Sequence, residues 1–213
     1  MPDHKRSKNF LKRLNWSTIA TQCLTLAIAF GVVWINNWYS NNERRRKVKY
    51  ELVAEISLLS SLSQSQVVNF NKFDRGSRIA YFSFERYRNA LNENASEINR
   101  LAYDRDIEIA EDAKAQYDEI SYQLTLNTSK LNALRIEVSD YYDYEKFTMV
   151  DSTIARLNAE LSAATFQLFE YASMNEDEVV NIGSKMPAAA LSKQHEIAKR
   201  AERVIEIIRT ELH

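Results

Sequence analysis

No charged residue occurs between Arg13 and Glu43, and both flanks of that stretch are basic. Lys5, Arg6, Lys8, Lys12 and Arg13 precede it, and Arg44, Arg45, Arg46, Lys47 and Lys49 follow it. Its apolar centre, Ile19–Ile35 (IATQCLTLAIAFGVVWI), is 17 residues long. At about 1.5 Å per residue, Trp16 to Trp38 gives about 33 Å of helix, against roughly 30 Å for a bilayer's hydrocarbon core. In hydrocarbon every backbone polar group must be paired within the segment, so a lone span has to be a helix. Trp16 at one end and Trp34, Trp38 and Tyr39 at the other match the aromatic belts found at headgroup level. The expected organisation is a basic tail at 1–15, a transmembrane helix at 16–39 and a basic juxtamembrane helix at 40–50.

The remainder is constrained by what it lacks. Three Gly and two Pro in 213 residues compare with roughly 15 and about 10 at average usage. A sandwich or barrel needs such residues at its corners, and an α/β nucleotide fold needs Gly beside a phosphate. The chain is therefore expected to be all-α. Residues 1–49 carry ten Lys or Arg against Asp3 and Glu43, whereas residues 50–213 hold 18 bases and 27 acids. An acidic domain repels phosphate, so no nucleic-acid partner is expected.

Helical stripes continue from the juxtamembrane bases. Val48, Leu52, Ile56, Leu59, Leu62, Val67 and Phe70 recur at steps of three to five residues, so the membrane helix should run straight on. Gly76 and Ser77 suggest a break, then a shorter helix over about 77–101 with Ile79, Phe82, Tyr87, Leu91 and Ile98 on one face. A long helix follows from about Asp104 to Tyr144, with Leu124, Leu131, Leu134 and Val138 in its stripe. Asp151 and Ser152 resemble an N-cap for a further helix whose face carries Ile154, Leu157, Leu161, Leu168 and Tyr171. Residues 173–185 form a polar connection, and Pro187 suits the first turn of a last helix with Leu191, Ala201, Val204 and Ile208. Together these predict one N-terminal transmembrane helix continuing into an antiparallel four- to five-helix bundle, with the acidic bundle at 51–213.

Polar residues inside the span are not scattered. Ser17, Thr21, Thr25 and Ala29 recur every four residues, and Gln22 lies beside them. In lipid, small residues let helix backbones approach, and hydroxyls or amides can bond across helices. Self-association through this stripe, giving a homo-oligomer, is the expectation; a mildly polar anchor and a water-lined pore are the alternatives. Ala27–Ala29 resembles a signal-peptidase site, but the apolar run continues to Ile35, which favours an uncleaved anchor. Five bases on each flank leave the orientation balanced. The short basic tail resists translocation, which tips the expectation towards a bundle outside the cytoplasm.

Little points to chemistry. His4, His195 and His213 are the only imidazoles, and no Glu-x-x-His pair exists for a di-iron site. Cys23 lies in the span, which removes thiol catalysis, zinc and disulfides from the bundle. Glu108, Glu111 and Asp112 share a helix face that suits either a cation or solvent. The run DYYDYEKF at 140–147 offers Tyr141, Tyr142 and Tyr144 as a protein-partner surface, or as a helix end with its rings turned inward. Neither an enzyme nor a cofactor is expected.

The segment from Leu14 to Ile56 resembles the start of an uncharacterised group of bacterial single-pass membrane proteins. These share a span opening near a Trp, an INNW-like tag and a basic helix; the matching residues are Asn15, Trp16, Ile35, Asn36, Asn37, Trp38 and Glu43–Arg46. The resemblance implies a bacterial inner-membrane protein with a helical domain, and it brings no activity. A non-enzymatic, membrane-anchored scaffold is the leading expectation. The alternatives are a sensory or ligand-binding bundle and a small oligomeric membrane effector, for example in antiviral defence.

Overall fold

A computed structural model describes residues 16–90, 96–162 and 166–212, with side chains from Ala20 onward apart from those of residues 146 and 162. Among these residues lie five α-helices and no strand: α1 Trp16–Asn89, α2 Ser96–Ser139, α3 Tyr144–Ser162, α4 Glu176–Ile182 and α5 Met186–Glu211. A single 3₁₀ turn, Tyr171–Ser173, precedes α4. The basic tail at 1–15 falls outside the described residues. Two compact units divide the chain, residues 1–47 and residues 48–213, and α1 contributes to both without a break.

Cross-helix pairs fix the directions within the second unit. α1 and α2 run antiparallel, because Glu55 pairs with Lys130 at 2.6 Å, Gln66 with Ser121 at 3.2 Å and Ser83 with Asp106 at 2.6 Å. α2 and α3 form the next antiparallel pair, where Arg135 meets both carboxylate oxygens of Asp151 at 2.7 and 3.0 Å. α5 runs back along α3 through Arg200–Glu160 and along α1 through Gln194, whose amide donates to the Gln64 carbonyl. Lys49 closes the frame by donating to the carbonyls of Arg209 and Leu212 at 3.0 and 2.8 Å. The result is an up-down-up-down bundle. Its core joins Leu52, Ile56 and Leu59 of α1 with Leu131 and Val138 of α2, Val150 and Ile154 of α3, and Ile197 and Ile208 of α5.

Helix boundaries differ from expectation in several places. Gly76 does not interrupt α1, because one Gly costs a helix interior only about 1 kcal/mol relative to Ala. A Cβ on Gly76 would lie 3.4 Å from the Ala110 Cα atom on α2, an ordinary contact, so the packing of the two helices does not require Gly there. The long helix expected over 104–144 instead spans Ser96–Ser139, and residues 140–143 turn before the Asp143 carbonyl accepts the Phe147 N–H at 2.9 Å. Asp151 and Ser152 consequently sit inside α3 rather than capping it, and Asp151 serves α2 through Arg135.

Leu168 and Tyr171 do not extend the α3 face, since α3 ends at Ser162 and Leu168 follows without helix. The connection at 173–185 contains α4, started by a capping box in which Asn175 and Glu178 satisfy each other's backbone N–H groups. Ile98 and Leu191, placed on core stripes by spacing, are 72% and 67% exposed, and Ala190 and Ile197 supply α5's inner face instead. Pro187 does occupy the first turn of α5.

Candidate functional site

The first unit contains one helix segment, near the chain's start, long and apolar enough to cross a membrane. None of its apolar window is buried: Leu24, Leu26, Ile28, Phe30, Val32 and Ile35 are each more than half exposed. Trp34, Trp38 and Tyr39 are exposed at 69%, 58% and 67%, grouped at the end away from Trp16. Backbone of Trp16 and Ser17 is helical, while their side chains fall outside the description. Arg44, Arg45, Arg46 and Lys47 are exposed in the turns that follow.

Thr21, Gln22, Thr25 and Ala29 are exposed, and at 3.6 residues per turn the four lie on one side of the helix, with Cys23 on the other. The Thr25 hydroxyl donates to the Thr21 carbonyl at 2.8 Å. Its proton is thus used within the helix, so Thr25 can meet lipid or another helix without an unpaired donor. The stripe's remaining offering is a small, nearly flat surface with the Gln22 amide at its edge.

The tyrosine-rich run divides. Tyr141 and Tyr142 are partly buried against the bundle core, whereas Tyr144 is 83% exposed at the start of α3. Only Tyr144 keeps the surface character of a contact residue. Glu108, Glu111 and Asp112 are exposed on α2. Among the described residues no three His, Cys, Asp or Glu side chains converge as a metal site.

Polar side chains gather where α3 has ended. Asn71, fully buried, donates to the Phe166 carbonyl at 2.9 Å and accepts from the Leu168 N–H at 3.0 Å. Arg75 Nε reaches the Val179 carbonyl at 3.1 Å, Arg78 reaches the Met174 carbonyl at 3.0 Å, and Arg86 pairs with Glu176. One face of α1 therefore straps the connection after α3, largely by its backbone and at α4 as well as in the non-helical stretch. Burial pushes the Tyr171 hydroxyl's pKa up, Arg75 opposes this and Asp74 adds to it. That hydroxyl finds no hydrogen-bond partner among the described residues. Asp74 is also raised by burial, against the hydrogen bond from Gln167.

Between α1 and α2 in this region lies a cleft of about 390 Å³, with Lys72 and Arg75 on one side and Asp106 and Asp112 on the other. Sequence patterning missed it, because its walls come from segments about 30 residues apart that pair only once the hairpin forms. Gly76, which lines the cleft, reads locally as a helix breaker. The chain matches no protein-family model, no curated protein and no solved structure.

Proposed function

We propose that this protein is a non-enzymatic, membrane-anchored helical scaffold that self-associates through its transmembrane helix in a bacterial inner membrane. The observation that carries it is the apolar start of α1, whose side chains no other described part of the chain covers. In water that surface would be costly at about 25 cal/mol per Å², and a bilayer removes the cost. Aromatic residues at Trp34, Trp38 and Tyr39, followed by exposed Arg44–Lys47, support seating at an interface with anionic headgroups. The INNW-like resemblance supports the same placement. The one-sided grouping of Thr21, Gln22, Thr25 and Ala29 supports self-association.

Cysteine cross-linking tests both parts. In membranes that resist carbonate extraction, Thr25→Cys in a Cys23→Ser background should oxidise to a disulfide-linked dimer, while wild-type Cys23 should not. Thr21→Leu with Thr25→Leu should shift detergent-solubilised protein towards monomer. A carbonate-soluble protein, or equal cross-linking through Cys23 and Thr25→Cys, would overturn the proposal. Fusion of alkaline phosphatase or a fluorescent protein after residue 213 assigns the bundle's side, expected outside the cytoplasm.

A further inference from the structure

α3 stops at Ser162, and a long helix does not resume until Met186. Beyond Asn71, α1 is bonded to the connection that carries the 3₁₀ turn and α4, and the cleft of about 390 Å³ opens between α1 and α2. That volume lies within the roughly 300–1,000 Å³ typical of small-molecule sites. Gly76 sits in its lining, set against Ala110, with Ile79, Ile109 and Met186 supplying apolar surface.

Its charges are arranged by wall. Lys72 and Arg75 come from α1, whereas Asp106 and Asp112 come from α2. Arg75 and Asp106 are held in place: Arg75 Nε donates to the Val179 carbonyl, and Asp106 accepts from Ser83 at 2.6 Å and from Arg105 at 2.9 Å. Lys72, Asp112 and Gln116 are exposed and make no hydrogen bond or ion pair with the described residues. A simple anion or cation in such a cleft is drawn to one wall and repelled by the other. A molecule carrying both charges, oriented along that field, is attracted by both.

We infer that the cleft binds a small zwitterion with an apolar body, of the free amino acid or dipeptide class. Its carboxylate lies towards Lys72 and Arg75, its ammonium towards Asp112 and its apolar part on Ile79, Ile109 and Met186. Methionine's flexible thioether adapts to more than one such side chain. The inference goes beyond the anchored-scaffold reading and does not rest on it.

Calorimetric titration of the full chain in detergent micelles with L-leucine, L-phenylalanine and leucyl-leucine tests it, with isocaproate and isoamylamine as single-charge controls. At least one zwitterion should bind with a micromolar to millimolar Kd, about tenfold or more tighter than either control. Lys72→Gln and Asp112→Asn should each weaken binding about tenfold. Both side chains are exposed, so an unchanged melting temperature verifies that each variant is folded. No binding by any of the three zwitterions overturns the inference. So does equal binding by isocaproate, which would mark a plain anion site, or wild-type affinity in both variants. Cysteine cross-linking of the span is a separate readout, so either proposal can fail without the other.

Discussion

Leu52, Ile56 and Leu59 share one core with Val138, Ile154 and Ile208, and every one of these side chains is buried. Some twenty residues further along the same helix, Asn71, Arg75 and Arg78 reach backbone carbonyls of the connection that includes α4. The first region is held by apolar burial from four helices, each large side chain contributing roughly 1.5–3 kcal/mol. The second is held by polar straps, each worth about 1 kcal/mol net and costly when left half-made. Cooperative stability therefore belongs to the first region. The second can open locally at lower free energy, as ligand-binding regions commonly do.

That contrast can be broken most severely in the apolar region. Ile154→Ala should cost about 2–5 kcal/mol and lower the midpoint of global chemical unfolding. Asn71→Ala strands the Phe166 carbonyl and the Leu168 N–H, so a loss of about 1–3 kcal/mol is expected. Hydrogen exchange should localise that loss to residues 166–182, with amides of α5 unchanged. If both variants deprotected the same amides, the two regions would be one cooperative unit and the contrast would fail.

Smaller changes sharpen it. Gly76→Ala adds a methyl at 3.4 Å from Ala110, an ordinary contact, and removes the helix penalty of Gly, so thermal melting should show a gain of up to about 1 kcal/mol. Tyr171→Phe deletes a hydroxyl without a partner among the described residues and should leave stability at neutral pH within about 0.5 kcal/mol. Its effect appears in alkali. Burial holds the Tyr171 pKa above its usual value, so the unfolded chain loses its proton first, near about pH 10. Native stability is then full below that pH and declines as the pH rises through it. Melting curves across this range should show a shallower decline for Tyr171→Phe.

The legible parts of the fold were those written in short-range periodicity. Val48, Leu52, Ile56 and Leu59 read correctly because a core against several helices demands a stripe at helical spacing. Missing Gly and Pro ruled out sheets for the same local reason. Asp151 was misread because a tertiary partner decided its place, Arg135 on α2, and Gly76 because a long helix tolerates one Gly at a cost of only about 1 kcal/mol. The Asn175–Glu178 capping box was visible in the sequence as N-x-x-E, yet the surrounding polarity read as a plain connection. The one-sided placement of Thr21, Gln22, Thr25 and Ala29 follows from their spacing on a helix. The internal bond from Thr25 to Thr21 does not, because periodicity carries no information about which acceptor a hydroxyl chooses. Lys72 and Gln116 had no local signature, and Asp112 read only as part of an acidic face with Glu108 and Glu111, since each is an exposed residue until the opposite wall arrives.

Lys49 fastens the beginning of the bundle to the last carbonyls of α5, and this has a mechanical meaning. Residues 49 and 212 lie side by side, where α1 enters the bundle and the antiparallel α5 ends. Tension applied between them would load the α1–α5 seam as a zipper, one contact at a time, instead of sharing the force along its length as shear does. The Lys49 bonds would part first, followed by the seam at Leu212 and Ile208. A pull between residue 49 and the far end of α1 would instead stretch a single helix along its axis. The bundle is therefore built to yield easily to tension in one direction and to resist it in another.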